Sequence, residues 1–425
     1  MNNKRFDIVV HGATGVTGTD MARHLAATLP AGFSWALSGR RADALAGVRA
    51  DLPKGQAARP DIMVVDNGNS TQLRALAESS KLILNAAGPY ASWVEPLLRR
   101  CISCRTHYVD LGGETFMLSR LIEELHEPAR AAGVALVPIA GYESAPFDLA
   151  VAVAVQRLQS RGHGPAIEAK ALIRFDLSRF LSPRNILSAG SVGTFKSLLA
   201  ADDGAYLDPT CLLPPSERTD ERRQANRVTF KPYRLDDGTA VAPMFPTPFL
   251  NVPVILRTAF LQAKKGGFSS KFHYKEGTDA DFLGLGRSGV WFTAAALGIS
   301  NRSTASIFGG LAKVVRPLTL RLLEILPMAW LSGPTEDAQE NMPWSIEAKA
   351  LDANGHYATA ALDGRGHPGY RATARIAAEI GRALVEQTIE PGDARAGFIT
   401  PSVALGTRLG SLHRAGVSAR EETVN

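Results

Sequence analysis
Phe6-Asp7-Ile8-Val9-Val10-His11-Gly12-Ala13-Thr14-Gly15-Val16-Thr17-Gly18 is the stretch whose reading decides the fold. A short apolar run ends at Gly12, and glycines then recur at every third position. The run predicts a buried parallel strand, and Met21 and Leu25, with Ala22 and Ala26 beside them, predict a helix after Gly18. Glycines between a strand and a helix allow a tight turn and let backbone N–H groups approach a pyrophosphate, with the helix N-terminus adding unpaired donors. Gly12, Ala13, Thr14, Gly15, Val16 and Gly18 are therefore predicted to cradle a dinucleotide.

A second strand is predicted at 33–38 and runs into Ser38-Gly39-Arg40-Arg41. Dinucleotide folds that hold a free ribose 2′-hydroxyl place an acidic residue here, whereas an arginine suits a 2′-phosphate. No Asp or Glu occurs between Asp20 and Asp43. A guanidinium forks onto phosphate oxygens and stacks on an adenine. Ser38, Gly39, Arg40 and Arg41 thus predict NADP(H) as the cofactor.

Strand-like and helical patterns alternate through the first 150 residues in six βα repeats. That predicts an α/β fold whose N-terminal Rossmann domain is a doubly wound parallel sheet. Ligands in such sheets sit at the carboxyl ends of the strands, which singles out Asp66, the run Ala87-Gly88-Pro89-Tyr90, residues 111–114 and residues 141–144. Gly88 lets the cofactor lie against the backbone and Pro89 stiffens the turn. Beyond 148 the pattern changes to α+β. A hairpin is signalled at Asp352-Ala353-Asn354-Gly355, and a helix follows Pro368-Gly369-Tyr370. The predicted boundaries are 1–148 for the Rossmann domain, 149–367 for an α+β substrate or interaction domain, and 368–425 for a helical segment packing back on the Rossmann domain.

Composition narrows the function classes. The chain has 425 residues, 45% hydrophobic and 21% charged, with a net charge of +6. Such a balance favours anionic ligands. No aromatic–basic stripe or finger spacing argues for nucleic acid. Three cysteines form no disulfide framework, and the Cys101-x-x-Cys104 pair has no second pair to complete a zinc site, so no metal is expected. The strand beginning at residue 6 leaves no room for a signal peptide, which predicts a cytoplasmic protein. The uncharged run 288–301 is too short to span a bilayer. With the amphipathic stretch up to 326, carrying Lys313, Arg316 and Arg321, it reads as a core helix pair or as a weak membrane-surface contact.

Several stretches carry a resemblance to a known family: Gly12-Ala13-Thr14-Gly15-Val16-Thr17-Gly18, Ser38-Gly39-Arg40, Ala87-Gly88-Pro89-Tyr90, Asp110-Leu111-Gly112-Gly113-Glu114, and Gly141-Tyr142-Glu143-Ser144-Ala145-Pro146-Phe147-Asp148. Pro368-Gly369-Tyr370 with Thr373, and Thr400-Pro401, extend it nearly end to end. The chain resembles the saccharopine dehydrogenase-like oxidoreductases, and among them the bacterial trans-acting enoyl reductases. The resemblance implies a Rossmann domain, a smaller α+β domain, NADPH, and reduction of a double bond in a carrier-bound or lipid-like acyl chain. Tyr142-Glu143 stands where the family commonly has Phe-Asp, and Phe147 replaces a small polar residue, so the pocket has its own shape.

None of the eight tyrosines has a lysine four residues on, which excludes the Tyr-x-x-x-Lys chemistry of short-chain dehydrogenases. No nucleophile elbow, His-Glu-x-x-His or Walker loop is present. For an enoyl reduction the strand-end rule offers Tyr90, Tyr142 and Glu143 as catalytic candidates able to donate a proton or hydrogen bond. Two readings stay open: an NADPH-dependent enoyl reductase, and a non-catalytic NADP-binding scaffold associated with lipid or a partner protein. Either reading leaves room for a homodimer.

Overall fold
The computed structural model describes residues 4–175, 180, 182, 185, 207–228, 232–235, 238–242, 247–281, 333–406 and 408–420. The stretch 288–326, read above as core or membrane-facing, lies outside them. Two compact units form: Met1–Gly113 with Arg120–Ala145 and Pro368–Val417, and Glu114–Ser119 with Pro146–His367 and Ser418–Asn425.

In the first unit, strands β1 (Phe6–His11), β2 (Trp35–Gly39), β3 (Asp61–Val64), β4 (Ser80–Asn85), β5 (His107–Asp110) and β6 (Ala135–Val137) alternate with helices. These are α1 (Val16–Thr28), α2 (Ala42–Asp51), α3 (Ser70–Ser79), α4 (Tyr90–Ser103) and α5 (Thr115–Ala132). The sheet is parallel, in the order β6-β5-β4-β1-β2-β3. Ile8, Val9 and Val10 are wholly buried, as a central strand covered on both faces requires. The chain winds outward one way from β1 and the other way from β4. These neighbours therefore form the topological switch point, where a crevice opens beyond their carboxyl ends.

A seventh strand, Gly397–Phe398, pairs with β6. Six strands are legible in the sequence, but two residues are too few to show any periodicity. The helix read after Pro368 begins at Thr373 and runs to Val385, preceded by one wide turn, Pro368–Ala372. It packs on the sheet so closely that a Cβ on Gly381 would lie 2.6 Å from Leu84 Cδ2. Glu379 of this helix is wholly buried. It meets His24 Nε2 of α1 at 2.7 Å and accepts from Arg414 Nε at 2.9 Å. The charge is thus paired on both oxygens, as burial demands.

The second unit is built on a mixed sheet. It contains β7 (Ala166–Phe175), β8 (Tyr233–Arg234), β9 (Ala240–Ala242), β10 (Phe268–Asp279), β11 (Pro343–Asp352) and β12 (Tyr357–Arg365), with Val417–Arg420 at one edge. β11 alternates between buried and half-buried residues along its whole length, which is the period-2 pattern of a sheet with one covered face. The predicted hairpin joins β11 to β12. Asp352 Oδ1 accepts from the N–H groups of Asn354 and His356, both at 2.9 Å, and closes the turn. A helix at Thr247–Leu261, buried along most of its length, has no counterpart in the sequence reading. Its prolines mask the pattern, and a helix buried on all sides has little amphipathic period to detect.

Candidate cofactor site
Beyond the carboxyl ends of β1 to β4 lies a cavity of ≈ 320 Å³. Its wall combines the glycine turn (Gly12, Thr14, Gly15), the β2 end (Gly39, Arg40), the β3 end (Val65, Asp66, Asn67) and the β4 end with the first turn of α4 (Ala86, Ala87, Gly88, Pro89, Trp93), with His11 at its base. Of the cofactor residues expected from sequence, Gly12, Thr14, Gly15, Gly39, Arg40, Asp66, Ala87, Gly88 and Pro89 therefore line one space. Ala13 and Ser38 are buried behind it, Val16 and Arg41 are exposed beside it, and Gly18 lies inside the first turn of α1.

The three glycines differ in what constrains them. Gly12 has φ +80°, and a Cβ there would sit 2.6 Å from Ala87 N. A Cβ on Gly18 would sit 2.2 Å from Gly12 O. Both are required by the turn's own packing. Gly15 has an ordinary φ of −78°, and a Cβ on it would meet only Gly12 O, at 3.4 Å. Packing within the protein hardly demands glycine there, whereas a group approaching the turn closely would. Gly15 is also the N-cap of α1 and offers no side-chain cap to the first helical amides, while the first turn carries no acidic residue. Those N–H donors and the positive helix end suit a pyrophosphate.

Around this turn the walls are held by hydrogen bonds. Burial keeps the His11 imidazole neutral by lowering its pKa. Its Nε2–H donates to Asn67 Oδ1 at 2.6 Å, and its Nδ1 accepts from Ser38 Oγ at 3.0 Å, linking the ends of β1, β2 and β3. On the other side, Asn85 Oδ1 accepts from Ala87 N at 2.9 Å. Asn85 Nδ2 donates to Tyr108 Oη, which donates to Asp110 Oδ2 at 2.7 Å. Asp66 Oδ1 accepts from Gly68 N at 2.8 Å. Arg40 is solvent-exposed at the rim, free to turn its fork inward. Sequence reasoning missed His11, Asn67 and Trp93. The positions of His11 and Asn67 at strand ends are a signal that the same rule could have used. Trp93 is 42% exposed, unusual for so large an apolar group, and only the fold brings it to the cavity.

The three catalytic candidates do not line this cavity. Tyr90 Oη donates to the Asn85 carbonyl at 3.2 Å. Tyr142 and Glu143 follow β6 at the far side of the switch point. Thr373 Oγ1 accepts from Tyr142 N at 2.9 Å and lies 3.4 Å from Glu143 Oε2. Burial raises the Glu143 carboxyl above its usual range, against the opposing hydrogen bonds.

A doubly wound sheet with this cavity at its switch point has the architecture of a dinucleotide-binding α/β domain. Residues 8–137 match the family model of the saccharopine dehydrogenase NADP binding domain. Trans-acting enoyl reductases of Mycobacterium tuberculosis and Mycobacterium bovis are each 27% identical to it over 419 residues, spanning 96% of this chain and 95% of theirs. The Mycobacterium leprae protein of the same name is 26% identical over 422 residues, with 96% and 95% covered. Apo saccharopine dehydrogenase (L-Glu forming) from Saccharomyces cerevisiae shares the fold at a TM-score of 0.56 and 14% identity, covering 99% of this chain and 100% of that one. No helix among the described residues is long and apolar enough to cross a membrane.

Proposed function
We propose that this oxidoreductase uses NADPH to reduce a carbon–carbon double bond conjugated to the carbonyl of a carrier-bound or lipid-like acyl chain. One observation carries the reading. A cavity with an unconstrained Gly15 and a basic rim at Arg40 belongs to a chain similar, almost end to end, to proteins named trans-acting enoyl reductases. The amides of the Gly12–Gly18 turn would bind the pyrophosphate and Arg40 the 2′-phosphate. Asp66, Asn67 and Trp93 would flank the adenine side, and Ala87, Gly88 and Pro89 would direct the other half toward β4 to β6.

When bound, NADPH supplies a hydride to the β-carbon of the acyl chain. The electron pair then rests on the α-carbon and thioester oxygen, and that enolate needs a hydrogen-bond donor and finally a proton. Glu143 suits the second task, because burial raises its carboxyl toward the protonated form, which can give its proton to a stronger base. Thr373 positions it by fixing the Tyr142–Glu143 backbone. The Tyr90 hydroxyl is engaged with the Asn85 carbonyl, so Tyr90 serves better as a packing surface.

Mixing the protein with NADPH and a panel of enoyl thioesters, on free pantetheine and on a carrier protein, tests the reading at the nicotinamide absorbance. Turnover of at least one thioester is expected. Glu143→Gln should lower kcat by about 10²–10⁴-fold while leaving NADPH binding intact. NADPH binding without turnover of any thioester would instead favour the scaffold reading.

A further inference from the structure
In the second unit, two loops bring together three side chains of metal-ligating type. His163 lies in the turn after helix α6 (Ala145–Ser160), and Asp352 and His356 close the β11–β12 hairpin. One ligand atom from each residue lies within 4.8 Å of the other two. We propose that His163, Asp352 and His356 form a binding site for a divalent transition-metal ion of zinc type, which would clip the α6–β7 turn to the hairpin.

Two features of the cluster favour a metal over a simple turn. Asp352 is wholly buried, and its carboxylate is aimed by backbone donors: Asn354 N and His356 N on Oδ1, and Gly164 N on Oδ2 at 3.1 Å. A ligand carboxylate is usually oriented by such an outer shell. His356 Nδ1 lies 3.1 Å from Asp352 Oδ2, close to the separation of two neighbouring ligands that each stand about 2.0–2.2 Å from one ion. The His163 and His356 rings are stacked, with centroids 4.3 Å apart and planes 14° from parallel, and because an imidazole donates its lone pair in the ring plane, the exposed His356 ring turns to meet the ion alongside His163. Two imidazoles and a carboxylate select zinc, nickel, cobalt or copper over calcium or magnesium.

Binding has a simple proton balance. The hydrogen bond between His356 Nδ1 and Asp352 gives way, the imidazole proton shifts to the solvent-facing Nε2, and the Nδ1 lone pair takes the ion. His356 is exposed and His163 half-buried, so an ion enters without unfolding and keeps water in its remaining positions.

Calorimetric titration of the full chain with zinc, in a non-chelating buffer, provides the test. A one-to-one stoichiometry is expected, together with a zinc-dependent rise in melting temperature. Outer-shell partners alone are worth about 10–100-fold in metal affinity, so His163→Ala and His356→Ala should each weaken zinc by more than tenfold. Their metal-free melting temperatures and NADPH binding should stay close to the parent's. His356→Gln, which keeps a polar side chain at the turn, guards against a folding defect. Absence of zinc binding, or equal binding by parent and both histidine variants, would overturn the site and leave the cluster as a hairpin closure only. Calcium should give no heat.

Discussion

Gly12, Gly15 and Gly18 stand in one turn, yet they answer to different neighbours, and substitution separates them. Gly15→Val should leave the fold intact and abolish the melting-temperature rise that NADPH gives, because the new side chain fills only the space the pyrophosphate needs. Gly18→Val should lower the melting temperature without cofactor, since its Cβ would meet Gly12 O at 2.2 Å. Circular dichroism melts of both variants, with and without NADPH, check the pair. At the rim, Arg40→Ala should weaken NADPH by about 1.5–3 kcal/mol, the range for a hydrogen bond to a charged group. NADH, which lacks the 2′-phosphate, should bind almost unchanged. Titration with both cofactors decides it, and equal losses would remove Arg40 from the site. Arginine type and position were enough to locate this residue in the chain. The strand-end position of His11 was legible, but its hydrogen bonds were not, because its partners Ser38 and Asn67 are 27 and 56 positions away.

Strand β10 carries a buried acid whose titration links to stability. Glu276 accepts from Tyr274 Oη at 2.7 Å and from Asn251 Nδ2 at 2.9 Å. Burial nonetheless pushes its carboxyl up from 4.5 to about 7. Below pH 4.5 the folded and unfolded states both hold the proton. Between 4.5 and about 7 only the folded state holds it, so stability falls as pH rises through that window, and above it this group's contribution is flat. Urea midpoints at about pH 5 and about pH 7.5 should therefore differ more for the parent than for Glu276→Gln. The helix Thr373–Val385 offers a packing test. Gly381→Val would drive its side chain into Leu84 and should cost about 1–3 kcal/mol, read from the same urea curves. Helices with a cap and a clear stripe, such as α3 with Asn69 accepting from Thr71 N and Gln72 N, were visible in sequence. The helix Thr247–Leu261 was not, because an element buried on all sides shows no contrast between faces.

Across the whole chain, the first unit is assembled from three separated pieces, the last being Pro368–Val417. That piece supplies the helix over β4, the Arg414 partner of Glu379, and the edge strand Gly397–Phe398. A chain ending at residue 367 should thus lose the cofactor unit rather than a dispensable tail. The expected result is a melt of low cooperativity and no NADPH-induced stabilisation, measured by circular dichroism and fluorescence against the full chain. A truncated chain that still bound NADPH tightly would mean that the N-terminal pieces suffice.

What the sequence by itself determined is local chemistry: a strand, a glycine turn and a helix in order, an arginine in place of an acid after the second strand, and alternating βα units that admit only a parallel sheet. Periodicity and residue type are properties of short windows, so they survive without the fold. Only the tertiary structure decided that residues 397–398 extend the sheet, that Trp93 and Asn67 line one cavity with the glycine turn, that Thr373 holds Tyr142, and that His163 reaches the hairpin at Asp352. Each of these joins residues tens to hundreds of positions apart. Such contacts depend on how elements stack to bury their apolar faces, and no local pattern encodes them.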